Sequence, residues 1–165
     1  MYELAIASAE TKPKVSHVHQ NEGNSVNIDV VYGDHSPFMS RLAENIEKAQ
    51  EFVPSERIDQ KNMLIEYVKH FTGGSISAHK ASQMSWVKDR SPPVETNIGF
   101  IESYRDPFGV RGEFEGFVAV VNREQSRKFQ HLVNNAQPFI SMLPWPTSFE
   151  KDQFLRPGVG TSLRT

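Results

Sequence analysis

The chain has 165 residues and a formal net charge of -2, with 38% hydrophobic and 23% charged residues. That is long enough for one domain with a real core, and the balanced charge excludes nucleic acid and anionic membranes as expected partners. The absence of cysteine excludes disulfides and thiolate metal sites, and suits a reducing compartment.

The opening "MYELAIASAE" has an acid at position 3 and neither a basic n-region nor a long apolar h-region, so no signal peptide is expected. "YELAIAS" alternates weakly and suits a strand. The polar stretch "AETKPKVSHVHQNEGNS" reads as an exposed loop. "VNIDVVYG" alternates Val26, Ile28 and Val30 against polar partners, which predicts a half-buried strand.

Ser36-Pro37 offers an N-cap followed by proline at the first helical position. Phe38, Leu42, Ile46, Ala49 and Val53 then recur at helical spacing and predict one buried stripe. Leu64, Val68 and Phe71 predict a second helix, ended by Gly73-Gly74. Ser75 to Asp89 suits a third, anchored by Ile76, Met84 and Val87, and "DRSPP" stops it. Asn122 with Gln125 resembles a capping box. It opens a fourth helix, over 123–143, with Phe129, Leu132, Val133, Ala136, Phe139, Ile140 and Leu143 on one apolar face. "LPWP" closes that helix, and the last ten residues look frayed. The longest apolar run, Phe117 to Val121, is far too short to cross a bilayer.

Between the third and fourth helices lies "IGFIESYRDPFGVRGEFEGFVAVVN", residues 98–122. Its ends are as apolar as a core, yet its middle carries Glu102, Asp106, Glu113 and Glu115. Period-2 alternation puts Ile98, Phe100, Glu102, Tyr104 and Asp106 on one strand face. Both faces are apolar at the start, which predicts an inner strand. A return strand begins near Glu113, after a loop holding Pro107, Gly109 and Gly112. Ion pairing of Glu102 and its neighbours with Arg105 or Arg111 accounts for the acids one way. A site for a cationic ligand accounts for them another way: a carboxylate beside a tyrosine hydroxyl suits an ammonium group.

This segment resembles the corresponding stretch of the dipeptidyl peptidase III family almost residue for residue. "FTGGSISAHK", "SPPVETNIGF" and "LPWPTSFEKDQFL" resemble it too, so the similarity runs from about Tyr2 to Leu155. It covers an internal part of a much longer cytosolic zinc exopeptidase, which releases dipeptides from the N-termini of short peptides. The implied fold class is α+β: part of the lower lobe of a two-lobed enzyme, with part of a β-barrel core and flanking helices. Residues 1–121 would be lower lobe, with a substrate-cleft strand at 95–106. Residues 122–165 would be the crossing helix toward the upper lobe and a frayed end.

The resemblance implies that Glu102 binds the free amine of the peptide. It implies that Tyr104 hydrogen-bonds the peptide near the scissile bond and stabilises the transition state. For Glu113 and Glu115 a structural role is expected. The family's zinc helix, His-Glu-x-x-x-His, is absent: none of the six histidines is followed by glutamate. His17-x-His19 is the only close pair, and a surface role is expected for it. The resemblance therefore implies zinc in the full-length family, none bound by this chain, and no activity of the chain alone. It also implies short peptides with a free N-terminus as ligands, the upper lobe as a structural partner, and a cytoplasmic location. The alternative is a non-catalytic protein-interaction module.

Overall fold

A computed structural model describes residues 2–21 and 23–149; the frayed end expected after Leu155 lies outside them. The chain divides into two compact units, Met1–Trp86 and Val87–Thr165.

In the first unit, β1 (Tyr2–Ala7), β2 (Val15–Asn21) and β3 (Asn24–Asp34) form a sheet in the order β1-β3-β2. β1 runs parallel to β3, and β2 antiparallel to it. The segment expected to be a loop thus contains a strand. β2 lies at a sheet edge with its described side chains exposed, so no apolar period marks it. Its hydrogen bonds to β3 alone define it. On β3, Val26, Ile28 and Val30 are half-buried as expected, but Asp29 between them is buried. Its carboxylate accepts from Lys14 Nζ at 2.7 Å and Ser16 Oγ at 2.6 Å. Those bonds hold it below the usual carboxylate range and compensate the loss of water.

Three helices follow: α1 (Ser36–Gln50), α2 (Ile58–Gly73) and α3 (Ile76–Lys88). α1 starts one residue early. His35 takes the cap position at φ 54, and Ser36 Oγ instead donates to Ala9 O at 2.8 Å. The buried face of α1 is Met39, Ala43 and Ile46, while Phe38 is 65% exposed. Two stripes one residue apart both satisfy helical spacing, and packing against α2 selects between them.

α2 supplies the centre of the core. Tyr67, Phe71 and Met63 are at most 1% exposed. The helix ends where Gly73-Gly74 indicates: Gly74 is left-handed, at φ 68, and its N–H donates to His70 O at 2.8 Å. A Cβ there would lie 2.5 Å from Ile6 Cγ2, so close approach and backbone conformation both require glycine. α3 buries Ala78 and Ser82. Its expected anchors Ile76, Met84 and Val87 are exposed, and the small residues Ala78 and Ser82 form its buried face instead.

In the second unit, β4 (Val94–Glu102) and β5 (Glu113–Val120) make an antiparallel pair. Among the described residues β4 has the single partner β5, where an inner strand with two was expected. The five described strands form separate sheets of three and two strands and close no barrel. Apolar residues on both faces of β4 signalled an inner strand, but pairing depends on strands supplied from elsewhere in a chain.

α4 (Arg123–Asn134) is capped as expected, with Gln125 N–H donating to Asn122 Oδ1 at 3.1 Å. The single helix expected to Leu143 breaks at Asn135, and α5 (Ala136–Ile140) follows. Pro138 accounts for the break, since it has no N–H and its ring clashes with the carbonyl four residues back. A short 3-10 turn, Thr147–Phe149, ends the described chain.

Candidate functional site

The site residues sit where β4 runs into the loop before β5. Along β4 and β5, Ile98 pairs with Gly116, and Phe100 with Phe114. The Phe100 and Phe114 rings meet edge-on at 5.4 Å, giving this face of the hairpin its apolar row. The register then slips, and Glu102 stands opposite Glu113. The slip takes Glu102 off the row of Ile98 and Phe100 and sets it in the row of Glu113 and Glu115. The expected shared face of Phe100, Glu102, Tyr104 and Asp106 is therefore not formed. β4 ends at Glu102, and Tyr104 lies in the loop, 88% exposed.

The loop is held by two carboxylates. Asp106 Oδ2 accepts from Val110 N–H at 2.8 Å and Arg111 N–H at 2.7 Å. Phe108 N–H adds a longer bond to Oδ1 at 3.4 Å. The Arg111 amide foremost, then that of Val110, holds the Asp106 carboxyl below its ordinary value. Glu113 Oε1 accepts from Arg105 N–H at 2.6 Å, and its Oε2 lies 3.6 Å from Arg105 Nε.

These contacts separate the acids of the segment. Asp106 and Glu113 are engaged with backbone amides of their own loop, as the structural role expected for Glu113 requires. The Arg105 guanidinium lies beside Glu113, and no described cation pairs with Glu102. Glu102 itself is half-buried, at the end of a hydrogen-bonded strand. Which backbone amides Asp106 and Glu113 hold was not legible in the sequence, although an Asp-Pro-x-Gly stretch is a turn signal.

The histidines assemble no comparable site. His17 and His19 share one face of β2 and are exposed. His70 and His79 approach to 5.0 Å between ring centroids, with Nε2 of the first and Nδ1 of the second buried and unpartnered. His70 Nδ1 lies 2.9 Å from Ser75 O, so that nitrogen carries the proton. Burial lowers the pKa of both rings. Among the described residues no three His, Asp or Glu side chains are grouped to hold a metal ion. An open groove on α4 and α5, lined by Lys128, His131, Leu132, Asn135, Pro138 and Phe139, contains neither Glu102 nor Tyr104.

Comparison with known proteins decides the family. Residues 1–164 match the sequence model of Peptidase family M49. The chain belongs to that family. Dipeptidyl peptidase 3 of Dictyostelium discoideum is 53% identical over 157 residues, covering 94% of this chain and 22% of the relative. The Homo sapiens protein of that name is 52% identical over 128 residues, covering 78% of this chain and 17% of its own length. The Rattus norvegicus protein is 46% identical over 162 residues, again 94% of this chain and 22% of the relative. The chain thus spans about a fifth of the length of the M49 relatives it matches. Among solved structures, DPP III from Caldithrix abyssi superposes with a TM-score of 0.52 at 22% identity, covering 83% of this chain and 25% of that one. The resemblance read from the sequence is borne out, as is the mixed α+β class.

Proposed function

We propose that this chain carries part of the substrate cleft of a dipeptidyl peptidase that takes short peptides with a free N-terminus. Glu102 binds the peptide's α-ammonium group. Tyr104 hydrogen-bonds the peptide near the scissile bond and stabilises the transition state. The observation that carries this reading is the unpaired Glu102 carboxylate, left open because Arg105 is engaged by Glu113. An amine held at a fixed point limits how far the peptide enters, and so sets cleavage after the second residue.

The family resemblance implies zinc in the full-length enzyme, where it would supply an activated water. The donor set described here does not fit a zinc centre, because no third ligand joins either histidine pair. On this reading the chain alone is inactive, and its residues bind and orient. Residues 1–121 belong to the lower lobe, and the helix from Asn122 crosses toward the upper lobe, the structural partner. The family resemblance implies a cytoplasmic location, and no described helix is long and apolar enough to cross a membrane.

Glu102→Gln in a full-length enzyme carrying this segment tests the reading. The shape is kept and the charge lost. A hydrogen bond to a charged group contributes roughly 1.5–3 kcal/mol, so kcat/KM should fall about ten- to 150-fold. Unchanged kcat/KM with a lowered melting temperature would make Glu102 structural. The interaction-module alternative draws on the exposed apolar residues of β5 and α4. It requires binding that is indifferent to N-acetylation of the peptide, whereas the peptidase reading requires binding to be lost.

A further inference from the structure

We propose that Glu113 and Asp106 are positioning residues for Tyr104, fixing the loop after β4 so that the phenol is presented to the bound peptide. The inference rests on the role proposed above for Glu102 and Tyr104. The Tyr104 side chain is 88% exposed and has no partner among the described residues, so its own contacts do not place it. Its backbone must. On one side the chain is held by the β4 ladder, which ends at Glu102. On the other side Arg105 N–H is held by Glu113 Oε1 at 2.6 Å, and Glu113 is itself the first residue of β5. Tyr104 is thus strung between two points on the same hairpin.

Beyond Arg105, Asp106 closes the rest of the loop. Its N–H donates to Ser103 O at 3.1 Å, and its carboxylate collects the Val110 and Arg111 amides. One residue therefore ties the turn that contains Tyr104 to the return limb. Both carboxylates accept from backbone N–H groups, which fix backbone position and carry no choice of ligand. A site held on a loop loses precision unless such contacts lock it, and misplacement by about 1 Å costs up to a hundredfold in rate.

The test uses a full-length enzyme carrying this segment, with Glu113→Ala, Glu113→Gln and Asp106→Ala made singly and together with Tyr104→Phe. Glu113→Ala should lower kcat/KM about ten- to a hundredfold, mostly through kcat. Glu113→Gln should recover most of that loss, since its amide oxygen still accepts from Arg105 N–H. In the Tyr104→Phe background the effect of Glu113→Ala should nearly vanish, because nothing remains to be positioned. If Glu113→Ala fails to fold, Asp106→Ala carries the same coupling test. Losses that simply add to that of Tyr104→Phe would overturn the proposal. So would a Glu113→Gln variant as impaired as Glu113→Ala, since the charge itself would then be what the ligand meets. Unchanged activity in both Glu102→Gln and Tyr104→Phe would instead sink the underlying reading, and the proposal with it.

Discussion

The two compact units differ most in what they bury. Every buried core hydrophobic among the described residues, from Met39 to Ala78, belongs to the first unit. In the second unit, Phe114, Phe117, Val118, Phe129, Leu132 and Phe139 are all exposed. The first unit therefore holds itself together by packing. The second is held by one strand pair, a capped helix and the hydrogen bonds of a loop. The residues assigned to ligand binding lie in the second. A binding loop needs open polar groups on a fixed backbone, and backbone hydrogen bonds supply that fixity without a core.

The largest expected effect tests the first unit. Phe71→Ala should cost about 3–5 kcal/mol, as loss of a fully buried phenylalanine usually does, read by chemical denaturation followed by circular dichroism. A loss under about 1 kcal/mol would mean that α2 does not carry the core.

A pH-dependent effect in the same unit comes next. Burial holds the His70 and His79 pKa values below the ordinary 6.5, so folding favours the neutral rings. Between the folded and unfolded values the unfolded chain binds more protons. Their contribution is thus fully present above about pH 6.5 and is lost as pH falls toward the folded values. Melting temperatures from pH 8 to 5 should fall at the acid end, and a His79→Gln variant should show a shallower fall. An equal fall in that variant would assign the acid sensitivity to other groups.

In the second unit the effects should be smaller. Asn122→Ala removes the acceptor for Gln125 N–H and should cost about 0.5–2 kcal/mol, visible as faster amide exchange in the first turn of α4. The smallest effect belongs to Phe117→Ala, within about 0.5 kcal/mol in this chain because the ring is already half in water. In a full-length enzyme carrying the segment, the same substitution should cost clearly more, since the proposed upper lobe and neighbouring strands would cover that face. Equal costs in the two contexts would place Phe117 on a true surface. The same exposed face should make the isolated chain associate at high concentration, which light scattering would detect.

Several features were legible in the residues themselves. Gly73-Gly74 ends α2 because only a residue without a Cβ takes the left-handed cap at that spacing from Ile6. Asn122 caps α4, because a short polar side chain before an amphipathic run satisfies a free amide locally. The identity of the 98–122 segment was legible too, since a long and unusual string of residues carries a family signature independent of its packing. Other features depended on partners distant in sequence. β2 became a strand because β3 lay beside it. Asp29 was buried because Lys14 and Ser16 reached it. Met39 rather than Phe38 faced inward because α2 packed there. Period-2 alternation placed Glu102 and Tyr104 on one strand face. The register slip after Phe100 and the grip of Glu113 on Arg105 determined otherwise. Sequence by itself determines what a residue can do with its nearest neighbours along the chain. Cross-strand register and long-range carboxylate–amide bonds arise only once separate stretches meet, and here tertiary structure decided which carboxylate holds the loop and which stays open.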